Sequence, residues 1–253
     1  MNISIGVATG IGKTECEDSA FINDSIVSGS SQEHRNVKIR CIGVADGVGG
    51  NEGGKIASRY IATRIGHEDF SIMSGETIHR FLAELNAELI QYASSISGKQ
   101  EMATTLTALV AAADGLYVIH AGNTRLYVMQ GSYLKQITSD HTTYNWLMDR
   151  GQYEAAEQCK KNEINCCLGG GYTKYAAYLV VQKVFDEGLP DTLLFTSDGI
   201  HDYIDIDDME DILNSKVSDI EKINQLATKA AENGSSDDKA IIIFRSDNYG
   251  ITV

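Results

Sequence analysis

Residues 104–136 read TTLTALVAAADGLYVIHAGNTRLYVMQGSYLKQ. Apolar and β-branched runs of strand length alternate with Ala113-Asp114-Gly115 and Gln130-Gly131-Ser132, the small, polar and glycine-bearing turns that join antiparallel neighbours. Parallel strands would each need a crossover of roughly a dozen residues, usually a helix. No such crossover fits between these runs. The stretch therefore predicts consecutive antiparallel strands, and an α+β sandwich rather than a doubly wound parallel sheet.

Working outward, apolar runs bounded by Gly, Asp, Asn or Ser predict further strands over residues 3–8, 37–45, 177–184, 192–196 and 240–244. Within the opening stretch the same reading divides 104–112, 116–121 and 125–129. Helical periodicity follows Ser74, where Ile78, Phe81, Leu82, Leu85, Leu89, Ile90 and Ala93 share one face. Ser218 and Glu221 have the spacing of a capping box ahead of Ile220, Ile223, Leu226, Ala227 and Ala230, with Gly234 placed to end that helix. Residues 142–165 are polar and helical between strand-rich neighbours. They read as a flap over a site, or as a plain helical insertion at the surface.

The chain has 253 residues, a single proline at Pro190 and no Gly/Ser-rich or Pro-rich run long enough to read as a linker, so one domain over residues 1–253 is expected. A formal net charge of -14 repels a nucleic-acid backbone and an anionic membrane surface, both of which are bound through clustered Lys and Arg. Residues 1–10 carry no basic segment followed by an apolar one, and no apolar run approaches membrane-spanning length, so a soluble, cytoplasmic protein is expected. Five cysteines with no C-x-x-C pair argue against a disulfide framework and against structural zinc.

Three aspartates stand at strand ends. Asp46 follows Ile42-Gly43-Val44-Ala45, Asp198 follows Leu193-Leu194-Phe195-Thr196-Ser197, and Asp237 precedes Ala240-Ile241-Ile242-Ile243-Phe244. Glu17-Asp18 adds acid after the first strand. Carboxylates gathered at the rim of a sandwich repel one another and are driven to protonate unless divalent cations neutralise them. Oxygen donors with no His or Cys companion point to Mg²⁺ or Mn²⁺. Taken singly, each Asp reads first as a turn residue, and only the set points to metal.

The flanking residues form a longer pattern: Gly10-x-x-Lys13-x-x-Cys16-Glu17-Asp18-Ser19, Ala45-Asp46-Gly47-Val48-Gly49-Gly50 with Gly54 and Ala57-Ser58, and Ala103-Thr104-Thr105-Leu106. It continues through Ala121-Gly122-Asn123-Thr124-Arg125, Thr138-Ser139-Asp140-His141, Leu168-Gly169, Thr196-Ser197-Asp198-Gly199 and Gly234-Ser235-Ser236-Asp237-Asp238. In this order, over nearly the whole chain, the pattern resembles the metal-dependent protein phosphatases, the type 2C serine/threonine phosphatases, in their small bacterial form. The resemblance implies a four-layer α-β-β-α sandwich of two antiparallel sheets with a bimetal cleft at one end. It implies two Mn²⁺ or Mg²⁺ ions, with Asp46 bridging them, Glu17 and the Gly47 carbonyl on one, and Asp198 and Asp237 on the other. Asp18 takes the place of a supporting carboxylate, and Lys13 that of the phosphate-binding group. The implied activity is hydrolysis of phosphoserine and phosphothreonine esters by metal-activated water. Phosphorylated proteins are then the substrates, a Ser/Thr kinase is the natural counterpart, and a monomer is expected.

Four residues depart from that pattern. Lys13 stands for an arginine and supplies a point charge without the bidentate fork. Cys16 stands for an asparagine, and Val48 for a histidine found in some members. Asn123 stands for the aspartate that helps hold a third ion, and a neutral amide is a poorer ligand for a hard cation, which leaves a third ion doubtful. Lys13 and Asn123 also leave open a phosphatase-like module that binds phosphoproteins without turnover. A nucleotide-binding loop at Gly10-Ile11-Gly12-Lys13-Thr14 fails on register, because the required first glycine position is Val7.

Overall fold

The computed structural model describes residues 1–48, 53–171, 178–186 and 188–246. Gly49 and Gly50 of the Asp46 motif, and Ala177 at the head of one expected strand, lie outside the described residues. The chain opens with β1 (Asn2–Ala8), β2 (Ser19–Ile22), β3 (Ser25–Val27), β4 (Ser31–Arg35), β5 (Cys41–Ala45) and β6 (Gly47–Val48). Two helices follow, α1 (Gly54–His67) and α2 (Gly75–Ser95). Then come β7 (Ala103–Thr104), β8 (Leu106–Ala112), β9 (Gly115–Ala121), β10 (Arg125–Gln130) and β11 (Tyr133–Gln136). After the short helices α3 (Thr143–Met148) and α4 (Tyr153–Gln158) lie β12 (Leu168–Gly169), β13 (Val180–Val184) and β14 (Thr192–Thr196). The described chain closes with α5 (Asp198–His201), α6 (Ile206–Asn214), α7 (Asp219–Glu232) and β15 (Lys239–Arg245).

Two six-stranded sheets form, in the orders β11-β10-β14-β15-β1-β4 and β13-β9-β8-β5-β2-β3, and every pairing within them is antiparallel. A smaller sheet, β12-β7-β6, sits beside them. Side chains alternate along each strand, and here both faces of the central strands are buried. Along β15, Ala240, Ile242 and Phe244 enter a core shared by the two large sheets, while Ile241 and Ile243 pack with α5, α6 and α7. Along β8, Leu109 joins the shared core, while Leu106, Ala108 and Val110 pack with α1 and α2. This double burial explains why these strands read as unbroken apolar runs rather than as alternating ones.

The helix after Ser74 carries a capping box that its periodicity did not signal: the Ser74 hydroxyl accepts from the Thr77 amide and the Thr77 hydroxyl from the Ser74 amide. Ser218 likewise accepts from Glu221 N–H, and Gly234 lies just past α7 with φ +98°. The strand expected over 37–45 begins only at Cys41. Asn36 takes a left-handed φ of 56°, and the Asn23 side chain accepts from the Arg40 and Cys41 amides, which holds the approach to the strand as a loop. Residues 142–165 hold α3, α4 and a single bridge between Thr142 and Ile164. Among the described residues, no helix is long and apolar enough to cross a membrane.

Candidate active site

The acidic residues enter from both large sheets. Asp46 leaves β5, and Glu17-Asp18 leads into β2, which pairs with β5. Asp198 opens α5 just past β14, and Asp237 lies two residues before β15, which pairs with β14. The loop between β1 and β2 passes from one sheet to the other and carries Lys13. Glycine permits that passage: a Cβ on Gly10 would lie 2.2 Å from the Ser236 carbonyl oxygen.

The motif residues that flank these acids hold their backbones. Asp46 N–H donates to Thr105 Oγ1 at 3.0 Å, and the Asp46 carbonyl accepts from Thr105 N–H at 2.8 Å and Thr104 Oγ1 at 2.9 Å. Ser197 accepts from Ala240 N–H and donates to Asp18 Oδ2 at 2.7 Å, tying the two sheets together beneath the site. Glu17 is steadied by the Ser58 hydroxyl on its carbonyl. Glu17 Oε1 and the Gly47 carbonyl both lie beside Gly54: a Cβ built there would lie 2.7 Å from Glu17 Oε1 and 2.9 Å from the Gly47 oxygen.

These carboxylates perturb one another. Burial raises Asp46 well above the ordinary aspartate value, and Asp18, Asp198 and Asp237 add repulsion. Burial pushes Asp18 up to about 8, against the stabilising Ser197 bond. Asp198 is raised by burial and by Asp237, and the Asn123 amide partly offsets this by donating to Oδ2 at 3.0 Å. Glu17 is raised by burial, with Lys13 opposing and Asp238 and Asp237 reinforcing the shift.

The structure places Lys13 on the acids themselves. Its Nζ lies 2.5 Å from Asp237 Oδ1 and 3.2 Å from Asp238 Oδ2. Partial burial disfavours the ammonium, but the bonds and charges of the two aspartates outweigh it and hold the proton above the ordinary lysine range. Among the described residues, no three His, Cys, Asp or Glu side chains stand close enough to form a closed metal-binding group; Asp237 is engaged by Lys13 and Asp198 by Asn123. The donor chemistry nonetheless fits divalent cations. The acidic donors are all oxygens, and burial followed by mutual repulsion raises Glu17, Asp18, Asp46 and Asp198, a penalty that a hard cation would offset.

Asp238 is a site residue that the sequence reading passed over. It is 2% exposed against 47% for Asp237, and it accepts from Gly10 N–H at 2.7 Å and Glu17 N–H at 2.8 Å, so it shapes the Lys13 loop from within. Two adjacent acids carry no sequence signal for which one turns inward. Asn123 Oδ1 is buried and has no hydrogen-bond partner among the described residues. His141 is packed against His120, and Cys16, Cys41, Cys166 and Cys167 are buried, with burial pushing Cys16 up to about 12.

No protein-family model matches the chain. A serine/threonine phosphatase stp of Listeria welshimeri is 30% identical over 211 residues, covering 79% of this chain and 82% of that protein. The crystal structure of the serine/threonine phosphatase Stp1 from Staphylococcus aureus superposes with a TM-score of 0.75 at 22% identity, covering 97% of this chain and 95% of that one. The catalytic domain of the serine threonine protein phosphatase PstP, solved in complex with 2 manganese ions, gives a TM-score of 0.69 at 21% identity over 96% of this chain and 98% of that one. The two structures share the α+β fold with its antiparallel sheets, the Listeria protein shares the sequence, and the chain belongs to the metal-dependent, type 2C serine/threonine phosphatase family.

Proposed function

We propose that the protein hydrolyses phosphoserine and phosphothreonine esters on other proteins, using two Mn²⁺ or Mg²⁺ ions in a bimetal cleft at one end of a four-layer α-β-β-α sandwich. The observation that carries this reading is the convergence of Asp18, Asp46 and Asp198 from two sheets, with Asp18 buried and Asp46 and Asp198 half-buried, where burial and mutual repulsion oppose their charges. A cluster of like charges is costly and has no structural purpose without cations. The names of the relatives favour turnover over a module that only binds. The manganese in the PstP structure supports the choice of ions.

In this reading Asp46 would serve both ions, Glu17 and the Gly47 carbonyl would hold one, and Asp198 and Asp237 would hold the other. When bound, the ions supply positive charge for the phosphoryl oxygens and an acidified water as nucleophile. Asp18 steadies the floor through Ser197. Lys13 presents its ammonium from the edge of Asp237 to the substrate phosphate. Residues 142–165 serve as a flap within a single catalytic domain over residues 1–253, acting as a monomer in the cytoplasm with a Ser/Thr kinase as its counterpart.

Hydrolysis of p-nitrophenyl phosphate tests the proposal directly. Turnover is expected with Mn²⁺ or Mg²⁺, to vanish with EDTA, and to return on adding the metal back. Activity that survives exhaustive chelation would refute the metal mechanism, and metal binding without turnover would favour the non-catalytic module. Lys13→Ala is expected to raise KM for a phosphothreonine peptide about tenfold with a smaller fall in kcat, since it removes one charged contact. Lys13→Arg is expected to lower KM, because the guanidinium engages two oxygens at once. Steady-state constants within about twofold of wild type for both variants would remove Lys13 from the substrate site.

A further inference from the structure

The stem of residues 142–165 hangs from the turn that steers Asp198. At its base, Asp140 receives Arg125 in a fork, with Nε at 2.9 and 3.0 Å from the two carboxylate oxygens and Nη2 at 2.6 Å from Oδ2. Gln136 Nε2 adds a bond to Oδ1 at 3.1 Å. The pair is largely buried, 23% and 10% exposed. The Asp140 carbonyl accepts from Asn145 Nδ2 in α3 at 3.0 Å, fastening the first helix of the segment to the same residue.

His141, next in the chain, is bonded to Gly122 twice: its N–H donates to the Gly122 carbonyl at 2.7 Å, and Gly122 N–H donates to its Nδ1 at 3.3 Å. The far end of the segment returns to the same place, with Asn165 N–H on the His141 carbonyl at 2.9 Å. Gly122 leads directly into Asn123, whose amide holds Asp198, and Arg125 lies opposite Thr196, two residues before Asp198. The turn has little room to shift, since Gly122 has φ +105° and a Cβ there would lie 2.6 Å from Thr105 Cγ2. Thr105 is the residue that holds Asp46.

The geometry points to Arg125 and Asp140 as positioning residues that lock the stem of residues 142–165 to the turn 122–124, and so couple that segment to the placement of Asp198. A buried ion pair adds little net stability over an apolar pair of similar size, whereas it fixes geometry through its directional bonds. The inference rests on the metal-dependent reading above, with Asp198 as a ligand. It differs from a plain structural role in predicting that metal and segment report on each other.

The test uses the full chain, Mn²⁺ titration by calorimetry, and protease nicking within residues 142–165 with and without Mn²⁺. In the wild type, Mn²⁺ is expected to slow nicking. Asp140→Asn is expected to lower Mn²⁺ affinity about tenfold, the range found when residues behind a ligand are changed, and to abolish the protection. Asn145→Ala leaves the ion pair in place and should keep Mn²⁺ affinity within about twofold while losing protection. Wild-type affinity and protection in Asp140→Asn would overturn the inference. If that variant does not fold, Arg125→Lys, which keeps the charge and gives up the fork, decides the question: unchanged affinity and protection overturn the proposal, and a loss of both supports it. A wild-type chain that binds no Mn²⁺ overturns the metal reading, whereas Mn²⁺ binding by the wild type with unchanged affinity and protection in Asp140→Asn overturns this inference alone.

Discussion

Asp46→Asn is expected to cut turnover by roughly a hundredfold or more while the chelated protein becomes more resistant to heat. The two effects have one cause. Asp46 is raised well above its ordinary value by burial and then by Asp18, Asp198 and Asp237, so in the absence of cations its charge opposes folding. The amide keeps the shape and the backbone clamp of Thr104 and Thr105, but removes the charge that would face both ions. Function and stability at this position therefore pull in opposite directions, the trade expected where a site is built from repelling groups. Calorimetry of the EDTA-treated proteins, with phosphatase assays in Mn²⁺, measures both quantities. Near-wild-type turnover would remove Asp46 from the ligand set. A lower melting temperature in EDTA would show that the carboxylate is a structural acceptor. Asp198→Asn and Asp237→Asn should lose activity on a similar scale, and a gain in stability is expected only for Asp198, since Asp237 is half exposed and paired with Lys13.

The large antiparallel sheets were legible because their central strands bury both faces, which leaves apolar runs that survive any uncertainty in phase. Residues 192–196 form a strand with the expected bounds for that reason. The short strands β2, β3 and β4 were not legible. Ser31–Arg35 is a polar edge strand with no apolar alternation, and its pairing with β1 comes from the sheet rather than from its own composition. Helix α1 was missed because its N-terminus is Gly53-Gly54 with no capping side chain, so both usual start signals are absent. At the site, spacing to strand ends located the acids, since a residue that follows a buried strand is carried to the rim. What spacing could not supply was the side-chain pairing across long sequence separations. Lys13 meets Asp237 and Asp238, and Asn123 meets Asp198, only because two sheets bring their strand ends to one place.

Gly54→Ala sets helix propensity against site geometry, and geometry is expected to prevail. Alanine in place of glycine at the start of α1 would ordinarily add up to about 1 kcal/mol to the helix. Here the new Cβ would lie 2.7 Å from Glu17 Oε1 and 2.9 Å from both the carbon and the oxygen of the Gly47 carbonyl. The Glu17 carboxylate can swing away, but the Gly47 backbone is held in β6, where it pairs with Thr104. The variant should therefore fold but melt below wild type, since a backbone contact must give, and part the two oxygens proposed to share one cation. Losses of about tenfold to a hundredfold in Mn²⁺ affinity and in kcat/KM are expected, the scale seen when residues behind a metal ligand are changed. Glu17→Gln provides the control, because Gly54→Ala added to it should cost little more if both act on the same contact, and the full penalty if they act separately. Undiminished Mn²⁺ affinity in Gly54→Ala would mean that Glu17 and the Gly47 carbonyl do not act together on an ion, and the ligand set would then rest on Asp46, Asp198 and Asp237 alone.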